Sequence, residues 1–122
     1  MNYYIIIPAH NEGQYLMDAL QSVVTQTMPP KRVVVVNDNS SDNTEQIIDS
    51  FTAEHNHISK INTKSSTAHL PGSKVINAFN KGLEQLDDDY DFIVKLDADI
   101  ILPDSYFEKI AKIFSTDVKI GI

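Results

Sequence analysis

Asp97 and Asp99 stand one residue apart in Leu96-Asp97-Ala98-Asp99, directly after the mostly apolar run Asp91-Phe92-Ile93-Val94-Lys95-Leu96. Carboxylates are hard oxygen donors. Two of them turned to one side past a strand suit Mg²⁺ or Mn²⁺, ions that keep waters and take further oxygens from substrate phosphates. A departing nucleoside diphosphate calls for such an ion, because negative charge builds on it as its bond breaks. A D-x-D pair alone is common and more often caps and solvates a strand end, so its weight depends on its neighbours.

Two polar clusters have comparable settings. Asp38 lies in Asn37-Asp38-Asn39-Ser40-Ser41, which follows Val33-Val34-Val35-Val36. Its carboxylate can accept from a base imide N–H or a ribose hydroxyl, or serve as a turn residue. Pro8-Ala9-His10-Asn11-Glu12 follows Tyr3-Tyr4-Ile5-Ile6-Ile7. There His10 can stack on or bond a nucleotide, and Glu12 can bond a ribose hydroxyl or favour a helix start through the macrodipole. Lys74, next to Gly72-Ser73, can reach a phosphate or stay solvated; His69 is a weaker phosphate candidate. His55 and His57 fit no metal-ligand spacing. G-x-S-x-G, the P-loop and G-x-G-x-x-G are all absent, which removes the main supports for hydrolase-triad, triphosphatase and dinucleotide readings.

The elements that must position these residues follow from hydrophobic patterning. Tyr3 to Ile7, closed by Pro8, and Val33 to Val36 are continuous apolar runs and predict buried strands. Ile58 to Asn62 is a weaker strand, and Asp91 to Leu96 a further one. Leu16, Ala19, Leu20, Val23 and Val24 recur at helical spacing, with Asn11 and Gln14 as a cap and Met28-Pro29-Pro30 as a stop. Asp42 with Glu45 resembles a capping box ahead of Ile47, Ile48 and Phe51. Val75, Ala78, Phe79, Leu83 and Leu86 mark a third helix. A fourth opens at Pro103 or Asp104 with Phe107, Ile110, Ala111 and Phe114 inward. Thr63 to Gly72 reads as a loop of about ten residues, long enough to hint at function. Val118 to Ile122 begins another strand. Such alternation predicts an α/β fold with a mostly parallel sheet and helices on both faces. Ligands then bind beyond the carboxyl ends of the strands, where Pro8–Glu12, Asn37–Ser41 and Asp97–Asp99 should meet.

Composition narrows the partners. The 122 residues fit one domain, and ten Lys+Arg against seventeen Asp+Glu give a net charge of −7, which disfavours nucleic acid and anionic membrane surfaces. There is no cysteine, so disulfides and thiolate zinc sites are excluded. Met1-Asn2-Tyr3-Tyr4 lacks the features of a signal peptide, and no apolar stretch nears the roughly 20 residues of a transmembrane helix. A cytoplasmic location is the default expectation.

Taken together, Ile5 to Glu12, Val35 to Thr44, Pro71-Gly72-Ser73-Lys74 with Asn77 to Gly82, and Leu96 to Asp99 resemble the family-two glycosyltransferases in order and spacing. The resemblance implies the Rossmann-like nucleotide-binding half of a GT-A fold. It implies inverting transfer from a nucleotide-diphospho-sugar, usually a UDP-sugar, to an acceptor hydroxyl with a divalent cation, Mn²⁺ or Mg²⁺. Matched residue by residue, Pro8, Ala9, His10 and Glu12 would line the nucleoside pocket and Asp38 would meet the base. Asp97 would lie near the ribose or metal, and Asp99 would ligate the metal directly. Asn37 stands where the family often has a second aspartate. A complete domain of that family is roughly twice as long, so residues 1–122 are expected to be a donor-binding domain incomplete at the C-terminus, with the general base beyond Ile122. Acceptor and oligomeric state are open. A sugar-phosphate nucleotidyltransferase and a non-catalytic nucleotide-binding module are the alternatives; the first usually carries a Gly-rich basic loop after its first strand, where this chain has His10-Asn11-Glu12-Gly13.

Overall fold

A computed structural model describes residues 2–64 and 73–116 of the chain. The expected strand at 118–122, His69 and most of the 63–72 loop lie outside the described residues. In chain order the elements are β1 (Tyr3–Ala9), α1 (Leu16–Val24), β2 (Arg32–Asp38), α2 (Thr44–Glu54), β3 (Ile58–Thr63), α3 (Ser73–Glu84), β4 (Phe92–Lys95) and α4 (Tyr106–Thr116). The strands form one sheet in the order β3-β2-β1-β4, and every neighbouring pair is parallel. This is an α/β fold.

The alternation of side chains along a strand sorts the core into two layers. Tyr3, Ile5 and Ile7 of β1 and Val33 and Val35 of β2 pack with Leu16, Leu20, Ile47, Ile48, Phe51 and Phe107, from α1, α2 and α4. Ile6, Val34 and Val36 point the other way, onto Ala78 and Phe79 of α3. Strand crossovers are right-handed. A sheet that grows from β1 to β2 to β3 under helices on one face therefore reverses direction when α3 crosses the opposite face. That reversal sets β4 beside β1, and the β1–β4 boundary becomes the switch point of the sheet.

Several element ends differ from expectation. β1 does not close at Pro8: Pro8 pairs with Val36 and Ala9 with Asn37. The Ile6 carbonyl accepts the Leu96 N–H, so by alternation Pro8 also faces the β4 side, where the ladder has already ended. The missing proline N–H therefore costs no strand bond. α1 starts at Leu16 rather than at an Asn11 cap, and it ends at Val24, ahead of Met28-Pro29-Pro30. α4 begins at Tyr106, after a turn in which the Tyr106 N–H meets the Pro103 carbonyl. Leu83 is exposed, because Gly82 faces the sheet: a Cβ there would sit 2.7 Å from Ile6 Cγ2. No helix among the described residues is long and apolar enough to cross a membrane.

Candidate functional site

The loops after β1 and β2 are lashed together. Asn11 has φ 51° and Asn39 φ 53°, the left-handed region that asparagine tolerates better than other residues with side chains. From that conformation Asn11 Oδ1 accepts the Ser41 N–H at 2.8 Å, and the Asn11 N–H meets Ser40 Oγ at 3.1 Å. The Glu12 N–H donates to the buried Thr44 Oγ1 at 2.9 Å, and the Gly13 N–H to Asp42 Oδ2 at 3.0 Å. Asn11 is thus committed to the neighbouring loop, so it caps no helix. The capping box is also absent: Asp42 Oδ1 accepts the Thr44 N–H, while Glu45 pairs with Lys60 at 2.9 Å.

His10 Nδ1 lies 2.6 Å from the Asp38 carbonyl. A carbonyl only accepts, so Nδ1 carries a proton and donates it. Asp38 is buried and accepts from Thr63 Oγ1 at 3.0 Å, which ties it to the end of β3. Its alternation with Val34 and Val36 puts it on the α3 side of the rim. Pro8 is half-buried on that side, whereas the Ala9 side chain belongs to the core of the other face, leaving its backbone at the rim.

Past β4, Leu96, Ala98 and Leu102 are all buried in the core, which turns the exposed Asp97 and Asp99 outward. The Ile100 N–H bonds the Asp97 carbonyl at 3.2 Å and tightens the turn. Asp97 Oδ1 receives the Lys95 ammonium at 3.0 Å; no ion pair among the described residues involves Asp99. The Glu12 carboxyl is held above its ordinary range, first by burial and then by the negative charges of Asp99, Asp42 and Asp97, against which His10 pulls it down. The first rim loop and the Asp97–Asp99 turn therefore share one electrostatic neighbourhood, on adjacent strands at the switch point. Lys74 lies in the first turn of α3, and its side chain is outside the described residues.

No group of three or more His, Cys, Asp or Glu among the described residues is arranged to hold a metal. Two adjacent carboxylates and no soft donor do not fit a closed protein cage such as structural zinc. They do fit a hard cation that takes most of its ligands from water and phosphate. Elsewhere on the rim, a cleft of about 500 Å³ is lined by Asn37, Asn39, Ser40, Glu45, Asn62, Thr63 and Lys64. It lies at the β2–β3 end, away from Asp97 and Asp99. Asn37 donates to Asn62 Oδ1 at 3.0 Å, and its own buried Oδ1 has no partner among the described residues.

Sequence reading missed the Asn11–Ser41, Glu12–Thr44 and Gly13–Asp42 links and the Lys95–Asp97 pair. The asparagines at Asn11 and Asn39 were the only local hint of a left-handed turn.

The model for Glycosyl transferase family 2 matches residues 4–121. The chain belongs to that family. It is 30% identical over 116 residues to poly-beta-1,6-N-acetyl-D-glucosamine synthase of Staphylococcus epidermidis, covering 95% of this chain and 26% of the relative. Among solved structures, S. aureus TarS 1–349 in complex with UDP aligns at TM-score 0.71 and 26% identity, over 95% of this chain and 32% of that one. The Pyrobaculum calidifontis mannosyltransferase PcManGT, in complex with GDP-Man and Mn²⁺, aligns at TM-score 0.73 and 21% identity, over 98% of this chain and 34% of that one, a likeness of fold. These neighbours are GT-A glycosyltransferases, and the chain spans about a quarter to a third of the length of these three proteins.

Proposed function

We propose that this chain is the donor-binding part of an inverting glycosyltransferase that takes a UDP-linked sugar with Mn²⁺ or Mg²⁺. The observation that carries the reading is the position of the Asp97–Asp99 turn beside β1, whose following loop holds His10 and Glu12. Likeness to a UDP complex of TarS supports the choice of donor.

In this reading Pro8, the Ala9 backbone, His10 and Glu12 line the nucleoside pocket, and Asp38 meets the base. Glu12 bonds a ribose hydroxyl, Lys74 approaches a phosphate, Asp97 lies near the ribose or metal, and Asp99 ligates the metal. The cation, when bound, stabilises the negative charge gained by the departing diphosphate. The Asn11 and Thr44 links hold the nucleoside loop in place before the donor arrives, which lowers the ordering cost of binding. Lys95 beside Asp97 adds a positive charge close to where the diphosphate lies. The acceptor oxygen bonds to the anomeric carbon as the bond to the diphosphate breaks, the electron pair leaving with the diphosphate and the acceptor proton passing to a general base. That base and the acceptor surface are assigned to none of the described residues.

Titration calorimetry with UDP, in Mn²⁺ and in chelator, tests the site. Asp99→Ala should weaken Mn²⁺-dependent UDP binding about tenfold or more, or about 1.4 kcal/mol, and leave metal-free binding unchanged. Equal affinity with and without Asp99 would overturn its assignment as ligand.

A further inference from the structure

Gln26 lies past the end of α1 and carries none of the chemistry above, yet it is 5% exposed. Each side-chain polar atom is committed. Nε2 donates to the Ser22 carbonyl at 3.1 Å and to the Pro103 carbonyl at 2.7 Å, and Oε1 accepts the Phe107 N–H at 3.1 Å. Ser22, one helical turn earlier and also buried, donates to the Ala19 carbonyl at 2.7 Å and accepts the Leu102 N–H at 3.0 Å. The Thr27 N–H adds a bond to the Asp104 carbonyl at 2.8 Å. A buried amide satisfied on both ends holds its partners in one arrangement, because any shift leaves several polar groups unpaired at once.

Those partners outside α1 all lie on the C-terminal side of the acidic turn, and the end of β4 anchors its other side. On one side the Leu96 N–H is fixed to the Ile6 carbonyl at 3.0 Å; on the other the Leu102 N–H is fixed to Ser22. Residues 97–101 span the interval, and Asp99 sits at its middle. We infer that Gln26, with Ser22, is a positioning element for the metal-binding turn, acting from the opposite end of α1 through Leu102, Pro103 and Phe107. The inference rests on the donor-site reading above. Groups that hold ligands without touching the ion characteristically change metal affinity when removed.

Gln26→Leu keeps the volume and removes all three bonds. Val23→Ala, a core truncation on α1, serves as the control for lost stability. Two measurements separate positioning from stability. In hydrogen exchange of the 122-residue chain without ligand, Gln26→Leu should raise exchange across 97–107 beyond the rise in Val23→Ala. In calorimetry, Gln26→Leu should weaken Mn²⁺-dependent UDP binding about tenfold or more while metal-free UDP binding stays as in the parent. Matching exchange in Gln26→Leu and Val23→Ala overturns the inference whatever the metal does, and so does raised exchange with unchanged Mn²⁺ dependence. Parent chain that binds UDP without regard to Mn²⁺ would instead overturn the donor-site reading, and the metal role of Gln26 with it.

Discussion

Thr44 shows how much of the rim depends on one hydroxyl. It is fully buried at the start of α2, and its Oγ1 accepts the Glu12 N–H and donates to Asp42. Thr44→Val keeps the shape and strands the Glu12 N–H, while Asp42 loses one donor and keeps the Thr44 and Gly13 N–H groups. It should cost about 1–3 kcal/mol in urea unfolding, and it should weaken UDP binding because the nucleoside loop loses its tether. A variant as stable as the parent would show that the link contributes nothing. The placement of Asp38, Asp97 and Asp99 at or just past strand ends was legible in the sequence, because each closely follows an apolar run. The Asn11–Ser41 and Glu12–Thr44 links were not, because their partners lie about thirty residues apart and only the folded sheet aligns the two loops.

At the scale of elements, α3 is seated closely on the sheet through Gly82. An added Cβ would lie 2.7 Å from Ile6 Cγ2 and 3.2 Å from Val36 Cγ2, both in the core. Gly82→Ala gains about 1 kcal/mol of helix propensity and meets an overpacking cost of about 1–3 kcal/mol, so net destabilisation is expected. Ile6→Ala removes the obstructing methyl, and the double variant should lose less stability than the two single losses added together. Strict additivity in denaturant unfolding would contradict this packing. The strands and helices themselves were readable from periodicity. Strand order was not: placing β4 beside β1 depends on α3 crossing the opposite face, and a run such as Val75 to Leu86 carries no mark of which face it covers. The end of β1 was misread for a related reason, since Pro8 breaks a strand only where its N–H is required.

At the scale of the whole molecule, stability should fall on mild acidification, and His57 supplies one cause. It sits at the turn into β3, where its carbonyl accepts the Val33 N–H. Burial, and then the nearby His55, hold its imidazole below the ordinary histidine range. In the unfolded chain His57 protonates first as pH falls. Its contribution is therefore full above the ordinary histidine pKa and is lost as pH drops through the lowered folded value. His57→Phe should flatten the pH dependence of the urea midpoint between neutral and mildly acidic pH; an unchanged slope would remove His57 as a cause. The central claim is also molecular in scale: four parallel strands bring the β1 loop, the end of β2 and the turn after β4 to one donor site. A crystal structure with UDP and Mn²⁺ bound, collected for anomalous scattering, tests it most directly. The account predicts a manganese peak against the Asp99 carboxylate, the diphosphate beside it and the base against Asp38. A peak away from Asp99, or UDP seated in the Asn37–Asn62 cleft with no metal near the turn, would contradict it.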